Sequence, residues 1–198
     1  MKTILALTLF GVTAQASVVY LDSSAATTTN NSSQSTVDLL GALHPNSAWG
    51  APLPGSDWIS YGPTGDPTDP GFFIPPDNGA PVTFTTTFIL TGAITAATLT
   101  VMADATTSVV LNGHPLLTFN GPIGYLASTE GVFSFNSLSL FLVDGSNTLS
   151  FGVLEANHSF FGLDFAGSVT DTAPTPEPAT FAILGAGLLT LATLRRRK

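Results

Sequence analysis

Apolar and polar side chains alternate along several stretches of the chain. Val82, Phe84 and Phe88 are separated by threonines, and a similar alternation recurs over residues 97–102 and 148–154. A period of two residues is typical of β-strands that bury one face. Segments of this kind follow one another at short spacing, so we expect about eight or nine strands, the number typical of a β-sandwich or jelly roll.

Turn signals separate these segments. Asn112-Gly113 stands between two short apolar runs, and this dipeptide supplies the positive φ angles of a tight hairpin turn. Upstream, the polar tract 23–36 contains almost only Ser, Ala, Thr, Asn and Gln, which predicts a flexible loop. Residues 45–81 are rich in proline, so regular structure should be sparse there. The sequence therefore predicts an all-β domain over residues 17–173.

The N-terminus has the pattern of a secretory signal peptide. Lys2 precedes an apolar run over residues 4–12, and the small residues Ala14 and Ala16 follow it. This order is typical of a signal that is cleaved after the second small residue. We expect residues 1–16 to direct export and to be removed after Ala16.

The C-terminus combines three features in a fixed order. These are Pro176, Glu177 and Pro178, then the uncharged run 179–194, then Arg195, Arg196, Arg197 and Lys198. As a helix, the uncharged run would be about 24 Å long at roughly 1.5 Å per residue. Snorkelling arginines could extend it across the bilayer. The basic cluster would keep the C-terminus in the cytoplasm.

Together these features resemble the PEP-CTERM sorting signal of exported Gram-negative bacterial proteins. The resemblance covers residues 174–198 and implies recognition by an exosortase, a membrane processing enzyme. It further implies cleavage near residues 176–178, a precursor anchored in the inner membrane, and a mature protein at the cell surface or in the extracellular matrix. A sorting signal of this kind carries no information about molecular activity.

The distribution of charge excludes several functions. The chain has 13 acidic and 5 basic residues, and residues 17–194 contain no Lys or Arg. Such a body has no cation for phosphate and would repel nucleic acid, so we expect no nucleic-acid partner. The absence of cysteine excludes disulfides and a Cys-based metal site or nucleophile.

A second resemblance covers about residues 82–170. Asp104, the Val-Val-Leu-Asn-Gly run 109–113, the turn 144–149 and the run 162–165 resemble elements of the galactose-binding-domain-like jelly roll. Members of that family bind sugars, lipids or proteins, or only support catalytic domains. The resemblance therefore implies a fold and leaves the ligand open.

Four aspartates lie close together in the proline-rich region. They are Asp57, Asp66, Asp69 and Asp77. Carboxylates and carbonyl oxygens in a loop are the ligands that Ca²⁺ prefers, so a calcium site is one interpretation. Their spacing matches neither an EF-hand loop nor an RTX repeat, and solvated turn aspartates are the alternative interpretation.

Three aromatic residues lie near these aspartates. Trp49, Trp58 and Tyr61 could stack on sugar rings as a binding platform, or they could pack inside the domain. No sequence motif for a nucleophile, a phosphate loop or a catalytic zinc occurs. We therefore expect an exported, non-enzymatic protein that binds or structures extracellular polysaccharide. The alternative is a hydrolase acting on glycans with two carboxylates distant in sequence.

Overall fold

The computed structural model describes residues 16–39, 49–62, 80–104, 106–116, 123–124, 126, 128–154, 161–172 and 187–188. Three predicted features lie outside these residues: the signal peptide up to Gln15, the aspartates at 66, 69 and 77, and the sorting residues at 176–178 and 195–197. Within the part of the chain that the structure describes, no helix is long and apolar enough to span a membrane.

Eleven strands in two antiparallel sheets account for most of the described residues. The six-stranded sheet consists of β1 (Ala16–Asp22), β3 (Thr36–Leu39), β4 (Trp58–Tyr61), β6 (Ala93–Asp104), β9 (Gly131–Phe133) and β11 (Gly162–Thr172). The five-stranded sheet consists of β2 (Thr28–Asn30), β5 (Val82–Leu90), β7 (Thr106–Leu111), β8 (His114–Pro115) and β10 (Gly145–Val153). A single helical turn, α1 (Phe135–Leu138), precedes β10.

The two sheets pack face to face around one apolar core. Phe151 of β10 and Phe165 of β11 stack across it with ring centroids 4.4 Å apart. Phe84 and Leu99, one from each sheet, belong to the same buried cluster. Successive strands lie in opposite sheets from β5 to β7, and again from β9 to β11. The all-β sandwich expected from the alternating pattern is confirmed, with more strands than the eight or nine predicted.

The Asn112-Gly113 turn has the conformation that the dipeptide predicts. Asn112 has a φ of 51° and Gly113 a φ of 82°. Positive φ at both central residues defines a type I′ turn, whose twist matches that of the flanking strands. The turn joins β7 to the short β8, where Leu111 pairs with His114.

The polar tract 23–36 is more ordered than its composition predicts. It contains β2, which extends the five-stranded sheet beside β5, and its last residue begins β3 of the other sheet. Between these strands, Asn30 Oδ1 accepts a hydrogen bond from the Ser32 backbone N–H at 2.8 Å, and Asn30 Nδ2 donates to Thr36 Oγ1 at 2.8 Å. The prediction of a flexible loop was wrong because these side-chain bonds hold the turn in place.

Candidate functional site

Ser23 lies where two strands share one edge of β11. Along that edge, β1 pairs with residues 166–172, whereas β4 pairs at Leu163. Between them, the Ser23 N–H donates to Phe165 O at 2.9 Å, and the Phe165 N–H donates to Ser23 Oγ at 3.1 Å. The Asp57 N–H in turn donates to Ser23 O at 3.0 Å. Ser23 thus continues the hydrogen bonding along this edge of β11 between β1 and β4.

Asp164 is buried next to this junction, with no exposed surface. Ser56 Oγ donates to its Oδ1 at 2.6 Å and the Leu53 N–H donates to its Oδ2 at 2.8 Å, while Ser23 Oγ lies 3.0 Å from Oδ1. Burial raises the pKa of Asp164 most strongly, these hydrogen bonds lower it in part, and the nearby charge of Asp57 raises it further. The carboxyl therefore fixes the 53–57 loop to β11.

A second apolar cluster lies on the outer face of the six-stranded sheet. Met102 belongs to it, whereas its neighbours Val101 and Ala103 point into the main core. Trp49 and Trp58 complete the cluster with Leu39. Because side chains alternate between the faces of a strand, this cluster must lie on the side opposite to the main core.

The two tryptophans stack against each other with ring centroids 4.3 Å apart. Trp49 Nε1 donates to Asp104 Oδ2 at 3.0 Å, and Trp58 Nε1 donates to Gly50 O at 3.1 Å. A Cβ built on Gly162 would lie 2.6 Å from the ring of Trp49, so the absence of a side chain there makes room for the stack. Trp49 is 4% exposed and Trp58 is fully buried.

This burial corrects the prediction of an aromatic sugar platform. Both tryptophans are covered, and Tyr61 packs edge-to-face on Phe161 in the main core, with centroids 5.2 Å apart. The interpretation as packing aromatic residues is the one that the structure supports. Sequence reasoning could not choose between a sugar platform and packing residues. The choice depends on where the loop lies on the sheet, which only the tertiary structure shows.

Asp57 is the one member of the predicted calcium set that the structure describes. Its charge raises the pKa of Asp22 and of Asp164, and burial raises both more strongly. Among the described residues, no group of three or more His, Asp or Glu side chains is arranged to hold a metal ion. A site that combines Asp57 with Asp66, Asp69 and Asp77 therefore stays a prediction.

The outer face of the five-stranded sheet carries mainly hydroxyl groups. The described members of this hydroxyl face are Thr29, Thr83, Thr85, Thr87, Ser108, Ser146, Thr148 and Ser150. They alternate with inward residues such as Phe84, Leu149 and Phe151. Apolar Ile89 and Val110 lie on the same face, and none of these described side chains is ionisable.

One row of this face runs straight across three strands. Thr29 pairs with Thr85, and Thr85 pairs with Ser150. The Thr29 hydroxyl donates to Thr85 O at 3.3 Å, and the Thr85 and Ser150 hydroxyl oxygens lie 3.3 Å apart. Sequence analysis identified the alternation in β5 and β10 but missed the face, because the pairing of distant strands joins the separate threonines into one surface.

Comparison with known proteins gives one match to a family model and several similar structures. Residues 174–198 match the PEP-CTERM protein-sorting motif, which indicates an exported, membrane-sorted protein. No protein with a curated description matches the sequence.

Two of the similar structures are family 35 carbohydrate-binding modules. The module from Clostridium thermocellum has a TM-score of 0.38 and 10% identity, and the match covers 76% of this chain and 97% of the module. The module from an environmental isolate has a TM-score of 0.30 and 12% identity, with 75% and 98% covered.

Proposed function

We propose that this chain is an exported, non-enzymatic surface protein that binds or structures extracellular polysaccharide after exosortase-type processing. The observation that carries the proposal is the hydroxyl face. It offers rows of donors and acceptors without charge, which suits a neutral polymer of hydroxyl groups better than an ionic ligand. The sorting motif at residues 174–198 supports export to the cell surface, where the protein would encounter such a polymer.

The buried carboxyls support a binding role over a hydrolytic one. A glycan hydrolase needs two carboxyl groups that flank the scissile bond. Asp104 instead accepts from the indole of Trp49, and Asp164 accepts from Ser56 and from the Leu53 backbone. These two acids hold the 49–57 loop on the sheet, so their side chains serve the fold.

Co-sedimentation of the full-length chain with an insoluble neutral glucan and with a polygalacturonate gel tests the proposal. We expect binding to the neutral polymer and weak or no binding to the acidic one. Thr87→Glu would place a charge on the hydroxyl face and should reduce binding at least tenfold. Thr98→Glu is the matched control, because Thr98 is an exposed strand threonine on the six-stranded sheet. Equal binding by both variants, or no binding by the natural chain, would overturn the proposal.

A further inference from the structure

An open groove of about 280 Å³ lies beside the hydroxyl face, between β2 and β3. Its polar lining consists of Thr28, Thr29, Asn30, Gln34, Ser35 and Thr36. Thr29 also belongs to the hydroxyl face, so the groove continues that surface around the edge of the five-stranded sheet. Its volume is near the lower end of the roughly 300–1,000 Å³ typical of small-molecule pockets. One sugar residue of a longer chain would fill it.

Two side chains of the groove, Asn30 and Thr36, are oriented by hydrogen bonds. Asn30 Oδ1 accepts from the Ser32 N–H while Asn30 Nδ2 donates to Thr36 Oγ1, so the two ends of the amide are assigned. Since Thr36 Oγ1 accepts that bond, its own hydrogen is left for a further acceptor. Gln34 lies over Gly62, where an added Cβ would come within 2.6 Å of Gln34 Oε1. A preorganised lining lowers the entropic cost of binding.

The polar groups that a ligand can reach belong to the exposed side chains of the groove. Gln34 and Ser35 are exposed lining residues. Thr28 is 2% exposed and its Oγ1 is buried, so this hydroxyl is not a ligand contact.

The charge around the groove selects against ionic ligands. Its lining has no ionisable side chain, and a body without Lys or Arg cannot neutralise a carboxylate or sulfate group. Asp38 lies close by, since its Oδ1 accepts from the N–H of Ala25, which also lines the groove. An anionic sugar would be repelled there, whereas a neutral sugar requires only hydroxyl and amide partners.

We propose that this groove binds a single neutral sugar residue through the hydroxyls of Ser35 and Thr36 and the amide of Gln34. This inference rests on the proposed function and assigns it a site and a ligand class.

The test titrates the isotope-labelled full-length chain with maltose, cellobiose and digalacturonate and follows the side-chain amide NMR signals of Asn30 and Gln34. We expect at least one neutral disaccharide to shift both signals and digalacturonate to shift neither. Ser35→Ala removes only the hydroxyl of an exposed lining side chain. It should lower the affinity about tenfold without lowering the melting midpoint. Ser33→Ala is the matched control, because Ser33 is an exposed serine of the same turn outside the groove lining.

The outcomes separate this inference from the proposed function. Unshifted Asn30 and Gln34 signals, or an affinity unchanged in Ser35→Ala, would overturn the groove as the site, even where the chain still sediments with the neutral glucan. Shifted signals without sedimentation would keep the groove as a neutral-sugar site and reject the polysaccharide role. A larger shift with digalacturonate than with the neutral sugars would overturn the proposed ligand class.

Discussion

Asn112 and Asn147 bond to each other through their side-chain amides, with Asn112 Nδ2 donating to Asn147 Oδ1 at 2.8 Å. The same Nδ2 donates to Phe141 O at 2.8 Å, and Asn112 Oδ1 accepts from the Thr148 N–H at 2.8 Å. Asn147 is fully buried and also bonds both backbone polar groups of Val143. The pair therefore ties the hairpin turn to the segment that leads into β10.

Asn112→Asp should destabilise the chain by about 3 kcal/mol at neutral pH. The substitution replaces a donor with a carboxylate oxygen that faces two acceptors, Phe141 O and Asn147 Oδ1. Protonation would restore one donor, so the loss should shrink as the pH falls. Chemical denaturation at pH 7 and pH 4 measures both effects. Asn112→Gly is the control, because glycine keeps the positive φ and introduces no charge. If both variants lose the same free energy of unfolding at both pH values, repulsion by the carboxylate is not the cause.

Gly113→Val should destabilise the chain by roughly 1–3 kcal/mol. Gly113 has a φ of 82°, and an added Cβ would meet no atom within 4 Å. The cost must therefore come from the backbone conformation alone. Gly113→Asn should recover most of the loss, since asparagine tolerates positive φ. Equal melting midpoints for the Val and Asn variants would show that backbone strain is not the cause.

Lowering the pH from 7 towards 4 should raise the melting midpoint. Burial raises the pKa of Asp164 and of Asp22 above the ordinary value of 3.8, and the charge of Asp57 acts in the same direction. The folded state then binds more protons than the unfolded state between 3.8 and the raised values, so stability falls as the pH rises through this window.

Asp171 acts in the opposite direction and at lower pH. The Thr91 backbone N–H donates to Asp171 Oδ2 at 2.7 Å and lowers the pKa of Asp171. The stabilisation that Asp171 contributes is therefore lost only as the pH falls below 3.8. Thermal melts over this range should therefore show a maximum on the acidic side of neutrality. Asp164→Asn should reduce the fall of the melting midpoint at pH values above this maximum. A melting midpoint that rises steadily from pH 4 to pH 7 would contradict the argument.

Asp57→Asn should raise the free energy of unfolding by about 0.5 kcal/mol at neutral pH. The change removes a charge that repels Asp22 and Asp164, in a body without Lys or Arg. Added NaCl should raise the melting midpoint of the natural chain by screening, and should raise it less in Asp57→Asn. Asp144→Asn removes an exposed carboxylate in a turn and serves as the control. Identical salt responses in the two variants would contradict a local repulsion at Asp57.

A calcium titration at constant ionic strength separates screening from a specific site. A site formed by Asp57, Asp66, Asp69 and Asp77 predicts a saturable rise of the melting midpoint that is lost in Asp66→Asn or Asp69→Asn. A flat titration would reject the site and leave screening as the whole effect.

The mature surface protein should lack the C-terminal basic tail. We propose that an exosortase cleaves the sorting motif at residues 174–198 near residues 176–178, so residues 195–198 should be removed from the mature protein. Mass spectrometry of protein released from the cell surface checks this expectation. Peptides that contain Arg195 to Lys198 in released material would contradict it, and a precursor that stays in the membrane when the exosortase gene is deleted would support it.

The sequence by itself determined several local structures and the sorting signal of the chain. Strict alternation predicted β5 and β10, and the Asn112-Gly113 pair predicted the positive φ angles that the turn has. These features can be predicted from the sequence because each depends on a few neighbouring residues. The sorting motif is equally local, since its three parts are contiguous at the C-terminus.

Tertiary structure decided which surfaces are covered and which are open. Alternation defines two faces of a strand, but only packing shows that Trp49 and Trp58 cover the outer face beside Met102. Asp164 is buried because Ser56 and Leu53, more than a hundred residues away in the chain, reach it. The hydroxyl face and its groove likewise exist only where distant strands pair. Long-range contacts of this kind leave no local pattern, so neither composition nor spacing could have predicted them.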